Sequence, residues 1–404
     1  MRTSRTVSFS ALLLLASLAV SLPASATILV IDHVYLLDIG GSRFNELYST
    51  ATAINSTGEV VGSAKSNASA SATVTGFYAT PAADGTYREA TLFGTNLSRN
   101  FPNAVNANGV IAGQARTSST STRSYAYKDN PANAVTPLDA ARTANDSALG
   151  INQAQTVVGY FVDTAGNNQA FVAPVGSSGL PSIQALKGAA SEARAINDQG
   201  TVAGVFTVQG KNGPEQHAFT FDSNKPAGPV QDLGTLGGIA SEASAINSAG
   251  DVAGSYKLSN GRTNAYLLKS GMSTPLTLAT PTGFLDSFAK GVNGQDWVVG
   301  QATGTGIHSQ TALLWANGQV FDLTAVWAAA AGTTNQWSEL SLATAINDNG
   351  WIVGQGLLAN CQNNCMRAFV LHAGLVPEPE VYLMLLVGLV AVGSLRIRQL
   401  SHKT

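Results

Sequence analysis

The stretch Ala53–Gly62, AINSTGEVVG, is the strongest indication of the fold, because six similar copies of it follow along the chain. The later copies read AVNANGVIAG, GINQAQTVVG, AINDQGTVAG, AINSAGDVAG, GVNGQDWVVG and AINDNGWIVG. Asn55 thus recurs at spacings of 51, 46, 45, 50, 46 and 54 residues, as Asn106, Asn152, Asn197, Asn247, Asn293 and Asn347. A glycine follows each asparagine after seven residues, namely Gly62, Gly113, Gly159, Gly204, Gly254, Gly300 and Gly354. A period of this length indicates a repeat architecture.

Each copy predicts two short strands joined by a tight turn. A small residue beside isoleucine or valine suits an inner strand, and the asparagine side chain can bond to the backbone two residues on. A glycine three residues after the asparagine favours a positive φ in five copies. Gln155 and Asp296 replace that glycine, and the third turn is expected to differ. The glycine seven residues after the asparagine predicts close approach of another backbone, as near the axis of a ring.

Two further strands complete each repeat. The third reads GFYAT, SYAYK, QAFVA, HAFTF, NAYLL, TALLW or RAFVL, and a fourth is visible in VQDLGTLGG, VFDLT and IQALKG. Four strands in 45–54 residues match one blade of a propeller. A spare strand, His33–Gly41, precedes the first copy, and pairing it with the last blade would leave no exposed edge. The sequence therefore predicts an all-β, seven-bladed β-propeller over residues 27–375, in preference to a β-helix.

The N-terminal residues 1–26 predict a secretory signal peptide. Arg2 and Arg5 precede the apolar run Ala11–Val20, and Ala24-Ser25-Ala26 provides small residues for signal peptidase. The alternative, a buried N-terminal helix, is disfavoured because these features occur in the required order. The mature chain is expected to begin near Thr27.

Residues 376–404 differ sharply in composition from the repeats. Pro377, Glu378 and Pro379 form a stiff break, and the uncharged run Val381–Leu395 ends at Arg396 and Arg398. As a helix this run spans about 22 Å, short of the roughly 30 Å hydrocarbon layer unless flanking residues contribute. The basic end predicts a transmembrane helix with a cytoplasmic C-terminus. An amphipathic helix docked on the propeller is the alternative.

Two family resemblances follow from these motifs. DLGTLGG, AINSAGDVAG and HAF resemble the HAF repeat of secreted bacterial proteins, although only one copy has a histidine, His217, before Ala-Phe. The order Pro-Glu-Pro, apolar helix and basic end resembles the PEP-CTERM sorting signal, with RIRQ in place of an uninterrupted arginine cluster. This resemblance implies an exosortase substrate of Gram-negative bacteria, in which Pro377, Glu378 and Pro379 are recognised, Val381–Leu395 anchors transiently and Arg396 and Arg398 stop transfer. Exopolysaccharide, inner membrane, signal peptidase and exosortase are the expected partners.

Composition narrows the chemistry. Only 11% of the 404 residues are charged, the net charge is −2, and no basic run lies between the termini, which excludes a nucleic-acid footprint. Cys361 and Cys365 predict a disulfide in an exported chain, with a metal or redox pair as the weaker alternative. No catalytic motif occurs, no histidine pair has metal-ligand spacing, and no cofactor is expected.

Two function classes remain open. The favoured one is a non-enzymatic cell-surface or extracellular-matrix protein that binds glycan through polar loops. The alternative is a propeller hydrolase or lyase acting on polysaccharide, which requires converging carboxylates or a Tyr/His/Arg cluster. Trp297 and Trp351 are candidates for stacking on sugar, although packing is the more ordinary role.

Overall fold

The computed structural model describes residues 27–377 except 40–47, 66–72, 88, 94–96, 98, 117–121, 128–137, 140–144, 212, 306–308, 332–335, 360 and 362–364. Residues 31–374 form one compact body. The described residues 27–30 and 375–377 belong to a second unit formed by the chain ends. The predicted signal peptide and the tail from Glu378 onward lie outside the described residues.

The strands form seven modules, one for each copy of the repeat. Two strands precede them, and the first three modules follow: β1 (Thr27–Leu36) and β2 (Asp38–Ile39); module 1, β3 (Tyr48–Ile54), β4 (Val60–Lys65), β5 (Val74–Ala79) and β6 (Glu89–Phe93); module 2, β7 (Arg99–Val105), β8 (Ile111–Arg116) and β9 (Thr122–Tyr127); module 3, β10 (Asp146–Ile151), β11 (Thr156–Val162) and β12 (Asn168–Pro174).

The remaining four modules are these: module 4, β13 (Ser191–Ile196), β14 (Thr201–Gly210), β15 (Gly213–Asp222) and β16 (Gln231–Asp232); module 5, β17 (Ala240–Ile246), β18 (Val252–Lys257), β19 (Thr263–Leu268) and β20 (Leu276–Thr277); module 6, β21 (Asp286–Val292), β22 (Val298–Thr303), β23 (Gln310–Ala316) and β24 (Gln319–Asp322); module 7, β25 (Trp337–Ile346), β26 (Trp351–Leu358) and β27 (Met366–Pro377). One α-helix among the described residues, α1 (Leu323–Ala331), follows β24.

Within each module the successive repeat strands pair antiparallel, as in the order β17–β18–β19–β20. The first strand of each module contacts the first strand of the next, and β25 contacts β3. Apolar clusters fill the spaces between neighbouring modules; one joins Ala253 and Leu267 of module 5 to Ala289 and Leu313 of module 6. The body is therefore an all-β, propeller-like assembly.

The turn between the first two strands has the predicted form in all seven modules. The Gly58 N–H donates to the Asn55 carbonyl at 3.1 Å, and the Asn55 N–H donates to the Glu59 carbonyl at 3.0 Å. Glycine with positive φ occupies the fourth turn position in five modules. Gln155 and Asp296 adopt the same conformation, with φ of 59° and 63°. The expectation that the third turn differs is therefore wrong.

A β-bulge in every first strand explains the glycine seven residues after the asparagine. The register between the first two strands shifts two residues before the isoleucine or valine, as between Ala193 and Ala195 in module 4. A Cβ on Gly204 would collide with the carbonyl oxygen of Glu192 and the ring of Phe219. The close backbone predicted at this glycine is thus the neighbouring strand of the same module, and the predicted explanation by a ring axis is wrong.

The fourth strands depart most from the sequence-based expectation. IQALKG was expected to form a strand, but Gln184–Leu186 is a 3₁₀ turn, and a single bridge between Phe171 and Ser182 takes the strand's place. VFDLT forms β24 only as far as Asp322, whose side chain accepts the Thr324 N–H at 2.9 Å and caps α1. Alanine-rich sequence then continues as helix because alanine has the highest helix propensity.

The N-terminal strand pairs with the last one, as the closure argument requires. β1 lies beside β27, and the Leu37 N–H donates to the carbonyl of Ala368 at 3.4 Å. Equivalent bonds hold the fourth strands elsewhere, from Leu233 to Ala218 and from Leu278 to Ala265. Module 7 thereby acquires a fourth strand from the other end of the chain.

Candidate functional site

The seven repeated asparagines are linked by a closed cycle of hydrogen bonds. Each side-chain Nδ2 donates to the main-chain carbonyl of the asparagine in the next module, at 2.8–3.2 Å. The seventh bond runs from Asn347 back to Asn55 at 3.0 Å. Each Oδ1 accepts the N–H of the residue four positions on, as Asn197 does from Thr201 at 2.8 Å. All seven side chains are buried.

The sequence predicted the role of each asparagine within its own turn but not its bond to the next module. The Oδ1 bonds are local and follow from turn chemistry. The Nδ2 bonds join residues 45–54 positions apart, except the bond from Asn347 to Asn55. They can be predicted only when the positions of neighbouring modules are known. These asparagines therefore hold neighbouring modules in register.

A cavity of about 260 Å³ lies where the seven modules meet. Its wall contains the isoleucine or valine, the asparagine and the next residue of every module. Asp198 and Asp348 are the acidic residues of this wall, and each accepts an N–H from the preceding module: from Gln153 at 2.9 Å and from Gly294 at 2.7 Å. The wall is otherwise uncharged, and asparagine, serine and glutamine give it polar groups.

A bridge of charged side chains joins the first strands of modules 4 and 5. The Arg194 Nε lies 3.1 Å from a carboxylate oxygen of Glu192, and its Nη1 lies 2.6 Å from one of Glu242. The Ser255 hydroxyl donates to the other oxygen of Glu242 at 2.9 Å. Arg194 is the bulged residue of β13, and bulged side chains elsewhere also reach the next module, as when Thr52 donates to the Pro102 carbonyl at 2.6 Å.

The electrostatics of this bridge favour ionised partners. Burial opposes ionisation of Glu242, but Arg194 outweighs it, so the pKa of Glu242 is lowered. Burial likewise acts against the charged form of Arg194, yet Glu242 and Glu192 raise its pKa. Burial lowers the pKa of the nearby Lys290, an effect that Arg194 reinforces and Glu242 opposes. A general acid requires a raised carboxyl pKa, so the bridge is built as an ion pair.

These charged residues were missed by the sequence analysis, although a signal was available. Glu192 and Glu242 stand five residues before their asparagines, and Arg194 and Lys290 stand three residues before theirs. The same positions are mostly uncharged in the other copies. Charge on an otherwise neutral inner strand could have identified the cluster.

His217 contacts acidic residues of its own module. Its Nδ1 lies 2.9 Å from Asp232, the aspartate of DLGTLGG, and its Nε2 lies 3.6 Å from Glu215. In module 6 the register places Thr311 at the equivalent position, where its hydroxyl donates to Asp322 at 2.6 Å. The HAF and DLG motifs thus join the third and fourth strands. Among the residues the structure describes, no three His, Cys, Asp or Glu side chains converge as a metal site.

Trp351, one of the two tryptophans predicted as sugar-stacking candidates, packs against other rings, and the two cysteines are bonded to each other. Trp351 packs against His372 and Tyr87, with ring centroids 4.7 and 5.4 Å apart. Trp297 is half-buried at the equivalent position of module 6. Cys361 and Cys365 form a disulfide, with Cα atoms 5.8 Å apart.

The predicted sorting residues lie at or beyond the end of the described chain. Pro377 ends β27, and Glu378, Pro379, Arg396 and Arg398 lie outside the described residues. Within the described part, no helix combines the length and apolar character needed to cross a membrane.

Comparisons with known proteins bear on the fold. No family model matches the chain, and no curated protein matches it. Among solved structures, the chain is similar to a prolyl endopeptidase, with a TM-score of 0.50 and 13% identity, over 80% of this chain and 46% of that one. A puromycin-hydrolyzing peptidase of Mycobacterium tuberculosis matches with a TM-score of 0.46 and 12% identity, over 78% and 49% of the two chains.

The WD40 domain of coronin from Toxoplasma gondii matches over 88% of each chain, with a TM-score of 0.39 and 9% identity. The chain spans about half the length of the two peptidases. At such identities the likeness concerns the fold alone, and it assigns no substrate to this chain.

Proposed function

We propose that this chain is an exported, non-enzymatic surface or extracellular-matrix protein whose seven-bladed β-propeller binds glycan. The observation that carries the proposal is the closed cycle of seven asparagine side chains. The cycle commits the most regularly repeated polar group of the chain to holding a rigid ring together. Recognition is then left to the surfaces between and around the modules.

Seven blades are supported by three independent features. The chain has seven copies of the repeat, the first strands contact one another in cyclic order, and the N-terminal strand pairs with the last strand. A crystal structure or a cryo-EM map of the exported protein that shows six or eight blades would contradict this architecture.

The non-enzymatic role is proposed because the carboxylates of Glu192 and Glu242 are ionised and paired with Arg194. Glycosidases need one carboxyl group kept protonated as the acid and a second ionised group at a set distance. Here one guanidinium holds both Glu192 and Glu242, and the pKa of Glu242 is lowered. Such carboxylates are already paired.

The alternative, a polysaccharide hydrolase or lyase, rests on the same cluster, which includes Lys290. It predicts that the purified protein shortens exopolysaccharide and that Glu242→Gln abolishes this activity. The proposed function predicts a glycan-array signal without release of reducing ends or unsaturated sugars. Turnover that disappears in Glu242→Gln would replace the proposed function with the enzymatic one.

The export route is proposed from the two ends of the chain. Signal peptidase would cleave after residue 26, Val381–Leu395 would hold the protein in the inner membrane, and an exosortase would process the tail at Pro377–Pro379. The double variant Pro377→Ala/Pro379→Ala is expected to stay in the membrane fraction, whereas the wild type reaches the surface or medium. Equal release of both proteins would contradict the sorting proposal.

A further inference from the structure

Three grooves recur between consecutive modules from module 3 to module 6. The groove between modules 3 and 4 has a volume of about 270 Å³, that between modules 4 and 5 about 180 Å³, and that between modules 5 and 6 about 330 Å³. Each lies between the outer strands of one module and the end of the third strand of the next.

The grooves occupy the same structural position. Each fourth strand or its substitute is held by a bond to the third strand, from Ile183 to Ala170, from Leu233 to Ala218 or from Leu278 to Ala265. An exposed residue lies in the groove two positions before each of these donors, namely Pro181 before Ile183, Gln231 before Leu233 and Leu276 before Leu278. The floor of each groove is a buried apolar residue of the following module: Phe221, Leu268 and Trp315.

The junction between modules 7 and 1 shows what this position accommodates. The bond from the Leu37 N–H to the Ala368 carbonyl is equivalent to the three bonds above. Tyr35, two residues before Leu37, therefore occupies the position that Pro181, Gln231 and Leu276 occupy in the other modules. There the space is filled by flat rings: Tyr35, Tyr87 and Trp351 have centroids 5.4–6.1 Å apart. Tyr87 is 4% exposed, and its hydroxyl donates to the Gly58 carbonyl at 2.5 Å. This position therefore accepts six-membered rings when the chain supplies them.

We propose that each of the three open grooves binds one sugar ring of a neutral glycan. The proposal rests on the proposed function and names its ligand and its sites. A sugar ring has apolar C–H faces and a hydroxyl edge, so it requires an apolar floor beside hydrogen-bonding walls. The groove between modules 5 and 6 has both, with Leu276 and Trp315 beside Thr277, Asn317 and Gln319.

The charges around the grooves favour a neutral ligand. Lys269, which lines two of the grooves, lies 2.9 Å from Asp251 and 2.7 Å from Asp296. Asp222 is adjacent to the groove residue Phe221 and lies 3.0 Å from Lys225. Since these cations already have carboxylate partners, no net positive charge faces a uronic acid or sulfated sugar.

Repetition determines the strength of binding. Two of the grooves are smaller than the usual small-molecule site of about 300–1,000 Å³ and the third is at its lower limit, so each contact with a sugar is weak. A polymer long enough to occupy all three grooves at once gains about 10²–10⁴-fold in affinity without new contacts. Polymers and dense surfaces should therefore bind much more tightly than free monosaccharides.

The test copies the filled junction into the open grooves. The triple variant Pro181→Tyr/Gln231→Tyr/Leu276→Tyr places a tyrosine where Tyr35 stands. Ser259→Tyr, in the exposed turn at the opposite end of module 5, serves as the matched control. The probes are immobilised linear hexasaccharides of glucose, mannose and galactose, a hexasaccharide of uronic acids and a peptide array. Urea denaturation midpoints establish that all variants are folded.

We expect the wild type and Ser259→Tyr to bind a neutral hexasaccharide equally, and the triple variant to bind at least tenfold more weakly. Equal binding by the triple variant would overturn the grooves as sites while leaving glycan binding intact. Preference for the uronic acid probe or for peptides would overturn the neutral-sugar assignment. Failure of the wild type to bind any glycan would overturn both this inference and the proposed function.

Discussion

Replacing Asn197 with alanine tests whether the asparagine cycle holds the modules together. Its side chain accepts the Thr201 N–H at 2.8 Å within module 4 and donates to the Asn247 carbonyl of module 5 at 3.0 Å. Alanine removes both bonds, leaves the backbone free to keep its conformation and adds no bulk. The resulting loss of stability therefore measures the two bonds.

The magnitude follows from what each partner keeps. The partly buried Thr201 N–H loses its acceptor, and leaving a donor unsatisfied in the protein costs about 1–3 kcal/mol. The Asn247 carbonyl still accepts the Gly250 N–H at 3.1 Å, so its loss is only the net value of one bond, about 0.5–1.5 kcal/mol. Together these give a decrease of about 3 kcal/mol in the free energy of unfolding.

Urea denaturation of the exported protein, followed by tryptophan fluorescence, measures this change. The matched control is Asn260→Ala, which removes a bond from the Arg262 N–H in an exposed turn of module 5 and should change stability by less than about 0.5 kcal/mol. If Asn197→Ala unfolds at the same urea concentration as Asn260→Ala, the cycle does not stabilise the body.

Three further predictions concern other parts of the body. Burial opposes ionisation of Asp251, but hydrogen bonds from Lys269 and the Ser270 N–H outweigh it and hold the pKa of Asp251 at about 2. The contribution of Asp251 to stability should therefore be complete above the unfolded pKa of about 4 and disappear as pH falls toward 2. Asp251→Asn should remove this part of the pH dependence when unfolding is measured across an acid titration. Gly204→Ala should prevent folding or lower stability by more than about 3 kcal/mol, because its Cβ meets the Glu192 carbonyl, whereas Gly179→Ala meets nothing closer than 3.9 Å and should fold normally in the same export assay. Trp351→Ala should lower stability by about 3 kcal/mol through loss of the aromatic contacts at the 7–1 junction, and a loss no larger than that of Trp297→Ala in the same denaturation assay would refute a special role of this junction.

The sequence was sufficient for features that depend on local chemistry repeated many times. The seven copies established the all-β class, the number of repeats, the turn at each asparagine and the pairing of the N-terminal strand with the last strand. Each of these depends on residues that are close in sequence or on the count of strands at the two ends. The helix after Asp322 was not predicted, because the repeat indicates a fourth strand there and the alanine-rich run that favours helix follows that strand directly.

Features that depend on the spatial arrangement of modules could not be predicted. The bond from Asn197 to Asn247 and the bridge of Glu192, Arg194 and Glu242 join residues that are adjacent only after the modules assemble. The glycine seven residues after each asparagine is a sequence signature of the bulge. The sequence analysis attributed this glycine to a backbone near a ring axis, whereas the close backbone is the first strand of the same module. The grooves require the register of four separate modules to be compared, which sequence spacing alone does not provide.

The asparagine cycle also restricts how a gene of this kind can change in length. Tandem copies invite unequal recombination, and an open array tolerates an added or deleted copy because only the ends of the stack are altered. In a cycle, each asparagine both gives and receives one bond, so a lost copy must be bridged by changing the angle at every remaining junction. Selection on such a chain should therefore favour substitutions and loop insertions within copies over changes in copy number, and the spacings of 45–54 residues show that the copies of this chain do differ in length.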